Sequence, residues 1–111
     1  MNFHKILIFF LISIVVISSV IFLWEKPLVL TLFLLSVALL KHIVLPVEKE
    51  IICFVLAGVL GALSESIAVF SGIWEYSQSQ TINVPLWLIP LWGLTGVNGI
   101  SFYEGLTEDK S

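Results

Sequence analysis

The sequence is poor in charged residues, and this shortage excludes a class of partner. Only 12% of its 111 residues are charged, and the formal net charge is -3. Its basic residues are the isolated lysines Lys5, Lys26, Lys41, Lys49 and Lys110. Because phosphate backbones are bound by clustered basic side chains, the sequence argues against a nucleic-acid partner.

Cysteine and histidine are also scarce. The single cysteine, Cys53, excludes an internal disulfide and a cysteine-based metal site within one chain. His4 and His42 stand alone near predicted helix ends, so we expect them to be solvated interfacial histidines rather than metal ligands. We therefore expect neither a metal nor a cofactor.

What the sequence has in abundance is long apolar runs. It is 59% hydrophobic, with a mean hydropathy of +1.09. A soluble protein of this length has too small a core to bury so many apolar side chains. The sequence predicts an all-α integral membrane four-helix bundle in a single transmembrane domain, residues 1–111. We expect its helices at about 6–24, 28–44, 51–73 and 84–103.

The lysines predict the orientation of this bundle. With four membrane-crossing helices, Lys26 lies on one side and the other four lysines lie on the opposite side. Because basic residues are in excess on the cytoplasmic side, we expect a multi-pass protein of the cell membrane with both termini cytoplasmic. Lys41 and His42, near the end of the second helix, are expected to extend to the interface.

The aromatic residues predict the opposite interface. Amphipathic rings gather where the membrane meets water. We expect residues 74–83 to form an outward-facing loop, and an aromatic belt to form beside it from Trp24, Trp74, Tyr76 and Trp87.

Glu65 is the one acid within the apolar part of the third helix. Small residues at Gly58, Gly61, Ala68 and Gly72 follow alternating spacings of three and four residues with it, so they share one face of the helix. Small faces let membrane helices approach closely. Glu65 is therefore predicted to point into the bundle, with the large aliphatic residues toward lipid.

We expect Glu65 to be protonated at neutral pH, because no Lys, Arg or His is predicted at its depth and desolvation favours the neutral acid. The sequence leaves three roles open for it. Glu65 either hydrogen-bonds across the bundle and fixes helix register, or donates a proton to or anchors an apolar substrate, or meets a cation from a partner subunit.

The fourth helix carries Pro90, Gly93, Gly96 and Gly99, which remove one backbone hydrogen bond and bare the backbone. These residues are interpreted in two ways. The glycines pack closely against the small face of the third helix, or the two helices leave a crevice with Glu65 and Trp92 on its walls.

The residues from 61 to 93 resemble a known family. The motif is Gly61-x-x-x-Glu65-x-Ile67-x-Val69-x-x-Gly72-x-x-x-Tyr76-Ser77, followed by Val84-Pro85-Leu86-x-x-x-Pro90-Leu91-Trp92-Gly93. Over about residues 50–100 the chain resembles the carotenoid-biosynthesis (hydratase-type) membrane protein family and related small bacterial membrane proteins. The resemblance implies a helical membrane fold and a glutamate that protonates a polyene end group, a role that falls on Glu65.

Two functions therefore stand as hypotheses. The first is a small polytopic membrane protein with a structural or interaction role, in which a buried, protonated Glu65 fixes the bundle and the chain meets a second copy or a partner membrane subunit. The alternative is a protein or enzyme that binds an isoprenoid-like or carotenoid-type lipid, with Glu65 as general acid. In that alternative the substrate-binding residues are Trp92, Trp74, Tyr76, Thr95 and Asn98.

Overall fold

The computed structural model of the protein describes residues 1–72 and 85–108. This part of the chain folds into four α-helices, which are α1 (Phe3–Leu23), α2 (Pro27–Val44), α3 (Glu50–Phe70) and α4 (Leu88–Thr107). The prediction of an all-helical chain with four helices is confirmed. The predicted outward loop at residues 74–83 lies outside the described residues.

Local chemistry accounts for where the helices begin and end. The Asn2 side chain caps α1 by accepting a hydrogen bond from the Lys5 backbone N–H at 3.4 Å. Pro27 opens α2, at the position where a missing N–H costs no helical bond. After α3 the chain turns through Gly72, whose φ of 86° lies in the left-handed region that glycine adopts without strain.

The fourth helix is the centre of the bundle. It packs against each of the other three helices, and its buried residues are distributed along its whole length from Leu88 to Gly105. The other three helices expose most of their large aliphatic side chains outward. By length and composition α1, α2 and α3 are the three described helices that are able to cross a membrane. Because α4 packs against three helices, its polar residues Asn98 and Ser101 are buried inside the bundle.

Helices α3 and α4 run antiparallel and touch through glycine. A Cβ atom added at Gly58 would lie 2.7 Å from the carbonyl oxygen of Ile89, and one added at Gly93 would lie 2.7 Å from the carbonyl oxygen of Phe54. Such distances leave no room for a side chain. The two helices therefore pack closely through glycine, as predicted, but the glycines of the two helices do not face one another, since Gly58 meets Ile89 and Gly93 meets Phe54.

Helix α1 lies antiparallel along another side of α4. The rings of Phe9 and Phe102 pack with centroids 4.4 Å apart, and the backbone N–H of Asn2 donates to the carbonyl oxygen of Gly105 at 2.7 Å. The described ends of the chain therefore lie together at one end of the bundle.

Charged residues join these two ends of the chain. Lys5 Nζ donates to Glu104 Oε1 at 3.1 Å and also to Glu108, while Asn2 Nδ2 donates to Glu108 Oε1 at 2.9 Å. The hydrogen bond from Lys5, and then that from Asn2, hold the pKa of the Glu108 carboxyl below its ordinary value of 4.5. The carboxylate therefore keeps its charge, and its ion pair, to a lower pH than an isolated glutamate does.

Trp87 differs from its predicted position. The sequence placed it in the interfacial aromatic belt, whereas its side chain is only 7% exposed and packs in the core with Leu30 and Leu88. The side chain of Trp24 is 40% exposed, which is compatible with a position in the predicted belt. The belt prediction is therefore wrong for Trp87, because the turn before α4 folds back onto the bundle instead of leaving it.

The glycine contacts lead to a prediction about stability. We expect Gly93→Ala to lower the free energy of unfolding by about 1–3 kcal/mol, because the added methyl group meets the backbone of α3 and overpacks the contact. Gly99→Ala is the matched control on the same helix, since an added Cβ atom there meets no other described element within 4 Å. It should leave stability unchanged or raise it by up to about 1 kcal/mol, through helix propensity.

Reversible unfolding in detergent, followed by circular dichroism, measures both variants. Equal stability of Gly93→Ala and Gly99→Ala would contradict the backbone contact between α3 and α4.

Candidate functional site

A cleft opens where α1 and α3 both pack on α4 without closing over it. Its volume is about 320 Å³. Its apolar wall is formed by Phe9, Val16, Ile17, Leu91 and Leu94, and its polar side chains are Ser13, Glu65, Trp92, Thr95 and Asn98. We call this space, with these ten lining residues, the cleft. Exposed side chains of Ile17 and Thr95 lie at its edge, so it opens on the outer surface of the bundle.

Glu65 and Trp92 form one side of the cleft. The indole Nε1–H of Trp92 on α4 donates to Glu65 Oε2 on α3 at 2.5 Å. The glycine contact described above brings the two helices close enough for this bond, since a Cβ atom at Gly61 would strike the Trp92 ring. Glu65 is half-buried, on the face that the small-residue spacing predicted.

Asn98 and Ser13 form the opposite side. Asn98 Nδ2 donates to the carbonyl oxygen of Phe9 at 3.3 Å and to Ser13 Oγ at 3.2 Å. The Ser13 hydroxyl in turn donates to the same Phe9 carbonyl at 2.8 Å. These bonds tie α1 to α4 at the middle of both helices, the position where a membrane protein has no water to satisfy polar groups.

Unlike Nδ2, the Oδ1 atom of Asn98 makes no hydrogen bond to a described residue. It is buried, and Asn98 as a whole is 5% exposed. Buried polar atoms are nearly always bonded, so this acceptor is an exception, and the Ser101 hydroxyl on the same helix is another among the described residues.

The described lining of the cleft has one ionisable side chain. This side chain is Glu65, and the described lining residues include no Lys, Arg or His. No three His, Cys, Asp or Glu side chains come together as a metal site in the described ranges. The lining therefore suits an apolar molecule with a small polar end.

Four of the residues predicted from the sequence meet in this cleft, namely Glu65, Trp92, Thr95 and Asn98. Trp74 and Tyr76, the other two, lie outside the described residues. The sequence analysis missed the contribution of α1, above all Phe9 and Ser13. Only the lone polar residue near the middle of α1, Ser13, carried a signal that one side of this helix meets protein.

A second polar cluster joins α2 to α3 at the end of the bundle where the chain ends lie. Lys41 Nζ contacts Glu50 Oε2 at 3.1 Å and donates to the carbonyl oxygen of Leu45 at 3.0 Å. The other carboxylate oxygen of Glu50 accepts the Val47 backbone N–H and contacts His42 Nδ1, both at 2.9 Å. Every oxygen of the buried acid is thus bonded, and the cluster holds the turn between the two helices.

The expected extension of Lys41 to the interface is wrong. Lys41 is 1% exposed and pairs with Glu50 inside the bundle, because the turn between α2 and α3 brings the acid back over the end of α2. His42 remains close to half exposed, as expected for a residue at a helix end.

Comparison of the chain with protein-family models, with curated proteins and with solved structures gave no match. The protein is a helical bundle with three helices suited to a membrane, and the resemblance to carotenoid-biosynthesis proteins stays an expectation.

Proposed function

We propose that this chain is a multi-pass protein of the cell membrane that binds an isoprenoid-like lipid in the cleft. The cleft itself carries this proposal. Its volume falls within the range of about 300–1,000 Å³ that is typical of ligand sites, and its wall is apolar with a few convergent polar groups.

The position of the cleft supports a ligand from the bilayer. Ser13 lies at the middle of α1 and Asn98 at the middle of α4, so the polar groups are at mid-height. The cleft opens sideways between α1 and α3, beside the exposed side chain of Ile17. An apolar chain in the membrane reaches such an opening without crossing water.

The topology that we propose has both termini in the cytoplasm. The first half of α1 and the second half of α2 line one groove, and a three-residue turn joins the two helices at Lys26. Lys5, Lys41 and Lys49 are therefore at the end of the bundle where the termini lie, and Lys26 is at the other end. The excess of basic residues assigns the first end to the cytoplasm.

Single cysteines test this topology in whole cells. In a Cys53→Ser background we expect Glu25→Cys to react with a membrane-impermeant maleimide, and Glu48→Cys to react only after the cells are permeabilised. The reverse pattern would contradict cytoplasmic termini.

A photoreactive prenyl lipid tests binding in the cleft. In lipid nanodiscs we expect its crosslinks to map to residues 9–17 and 91–98. We expect Thr95→Phe to lower labelling by about tenfold, which corresponds to about 1.4 kcal/mol of binding free energy, because the ring fills the opening. The exposed position of Thr95 keeps this change out of the core.

Thr107→Phe is the matched control for this experiment. Thr107 is an exposed threonine on the same helix, and its hydroxyl also donates to the carbonyl four residues earlier. It lies outside the cleft. Labelling that spreads over the outer faces of α1, α2 and α3 and ignores Thr95→Phe would overturn the proposal.

A second candidate, a structural or interaction role, is favoured by the Glu65–Trp92 hydrogen bond. This bond joins α3 to α4 and fixes their register. A purely structural role of Glu65 requires no other contact. In this role the chain contacts a second copy or a partner membrane subunit through outer surfaces, since Gly58 and Gly93 are covered within the chain.

Glu65→Gln separates the roles of this acid. Glutamine keeps the size of the side chain and an oxygen to accept the Trp92 N–H, but it has no proton to transfer. A structural or binding role predicts unchanged unfolding and at most a small change in prenyl-lipid labelling. A general-acid role predicts that the variant folds and binds, yet converts no polyene, as judged by mass spectrometry of lipids extracted from expressing cells. Loss of folding in Glu65→Gln would contradict both roles, because the interhelical bond is retained.

A further inference from the structure

The polar residues of the cleft follow an order along the helix axes. Glu65 is near the end of α3 and Trp92 is near the start of α4, and both of these helix ends are opposite the end of the bundle where the termini lie. At about 1.5 Å per residue, the Glu65–Trp92 pair is about 8 Å from the middle of both helices. The one ionisable group of the described lining is therefore displaced toward the Lys26 end of the bundle.

The polar groups at the middle of the cleft hold helices together. Ser13 and Asn98 lie at mid-height, and their side chains bond to each other and to the carbonyl oxygen of Phe9. These bonds join α1 to α4. They account for both residues without a ligand.

Aromatic rings close the other end of the cleft. Phe9 is the lining residue of α1 nearest the termini, about 6 Å beyond Ser13 along the helix. Its ring packs on Phe102, which lies one turn beyond Asn98 on α4, with centroids 4.4 Å apart. Beyond Ser13 and Asn98 the described lining carries no polar side chain toward that end. The cleft therefore runs from a carboxyl group to an aromatic floor.

The dimensions of the cleft suit one apolar chain. On α1 its lining extends from Phe9 to Ile17, roughly 12 Å along the helix axis. Its volume of about 320 Å³ is close to the lower limit of the range of about 300–1,000 Å³ that ligand sites have. A lipid with two tails would leave one of them outside the cleft.

We propose that the ligand is a single-tailed lipid that lies with its polar end at the Glu65–Trp92 pair and the end of its tail against Phe9. Lipids of the leaflet at the Lys26 end of the bundle have this orientation, and under the proposed topology this is the outer leaflet. Such a lipid enters beside Ile17 without turning over. This inference rests on the proposed function and names the class of the ligand and its orientation.

Two photoreactive farnesols test the orientation. One carries its diazirine at the hydroxyl end, and the other carries it on the last isoprene unit. In lipid nanodiscs we expect the first to label Glu65 and Trp92, and the second to label Phe9 and Phe102. The reverse pattern, or one pattern for both probes, would overturn this inference and leave lipid binding in place. Labelling of the cleft by neither probe would overturn the proposed function.

Sealed membrane vesicles test the leaflet, once the single cysteines have confirmed the topology. A photoreactive farnesol whose hydroxyl carries a sulfonated polyether stays in the leaflet to which it is added. We expect it to label the cleft in right-side-out vesicles and to lose this labelling in inside-out vesicles. Labelling that is equal or stronger in inside-out vesicles would overturn the choice of leaflet.

Phe9→Ala tests whether this ring limits the length of the tail. Farnesol and the longer geranylgeraniol compete with the photoreactive prenyl lipid, with concentrations expressed per membrane lipid. We expect Phe9→Ala to raise the affinity for geranylgeraniol relative to farnesol by about tenfold, because the floor of the cleft is removed. The backbone carbonyl of residue 9, which accepts from Ser13 and Asn98, is retained.

Phe10→Ala is the matched control, because the Phe10 ring also packs on Phe9 but is exposed and does not line the cleft. It should leave the ratio of the two affinities unchanged. An unchanged ratio in a folded Phe9→Ala, or an equal rise in both variants, would overturn the placement of the tail end at Phe9. Where Phe9→Ala does not fold, the two photoreactive farnesols decide this placement in the wild-type protein.

Discussion

The backbone contact between α3 and α4 is the constraint on which the rest of the bundle depends. Gly58 and Gly93 bring the helices together so closely that each helix has the other's carbonyl oxygen where a side chain would be. At this separation Trp92 on α4 lies beside Gly61 and reaches Glu65 on α3. The polar side of the cleft is thus a consequence of small residues elsewhere on the same two helices.

The arrangement of α4 explains how polar residues are kept inside so apolar a chain. A helix that packs against three others is buried along much of its length, and the buried polar residues Asn98 and Ser101 both lie on this helix. The outer helices, by contrast, have few buried residues and expose aliphatic surface. The described part of the chain therefore concentrates its buried polar groups on the central helix, while α1, α2 and α3 carry most of the exposed aliphatic surface.

The sequence predicted those parts of the structure that a single helix encodes. Apolar runs predicted the four helices, and the spacing of small residues predicted which face of α3 meets α4 and carries Glu65. The face of α1 was encoded only weakly, because apart from a few serines this helix is apolar on every side. Phe9 and Ser13 were missed for this reason.

Two further misses arise at turns. The Lys41–Glu50 pair depends on how the chain folds back between α2 and α3, and the burial of Trp87 depends on how it returns before α4. Periodicity describes neither of these, since both are set by contacts between elements. Lys41 was therefore expected at the interface and Trp87 in an aromatic belt.

The two sides of the cleft are held by different chemistry, and this difference keeps the space between them open. Helix α3 is fixed to α4 by glycine packing and by the Trp92–Glu65 bond, whereas α1 is fixed to α4 by the bonds from Asn98 to Phe9 and Ser13. Neither set of contacts pulls α1 toward α3, and only α4 packs extensively against both. Each wall is therefore anchored to the central helix by its own hydrogen bonds, and such bonds are strong where water does not compete for the polar groups.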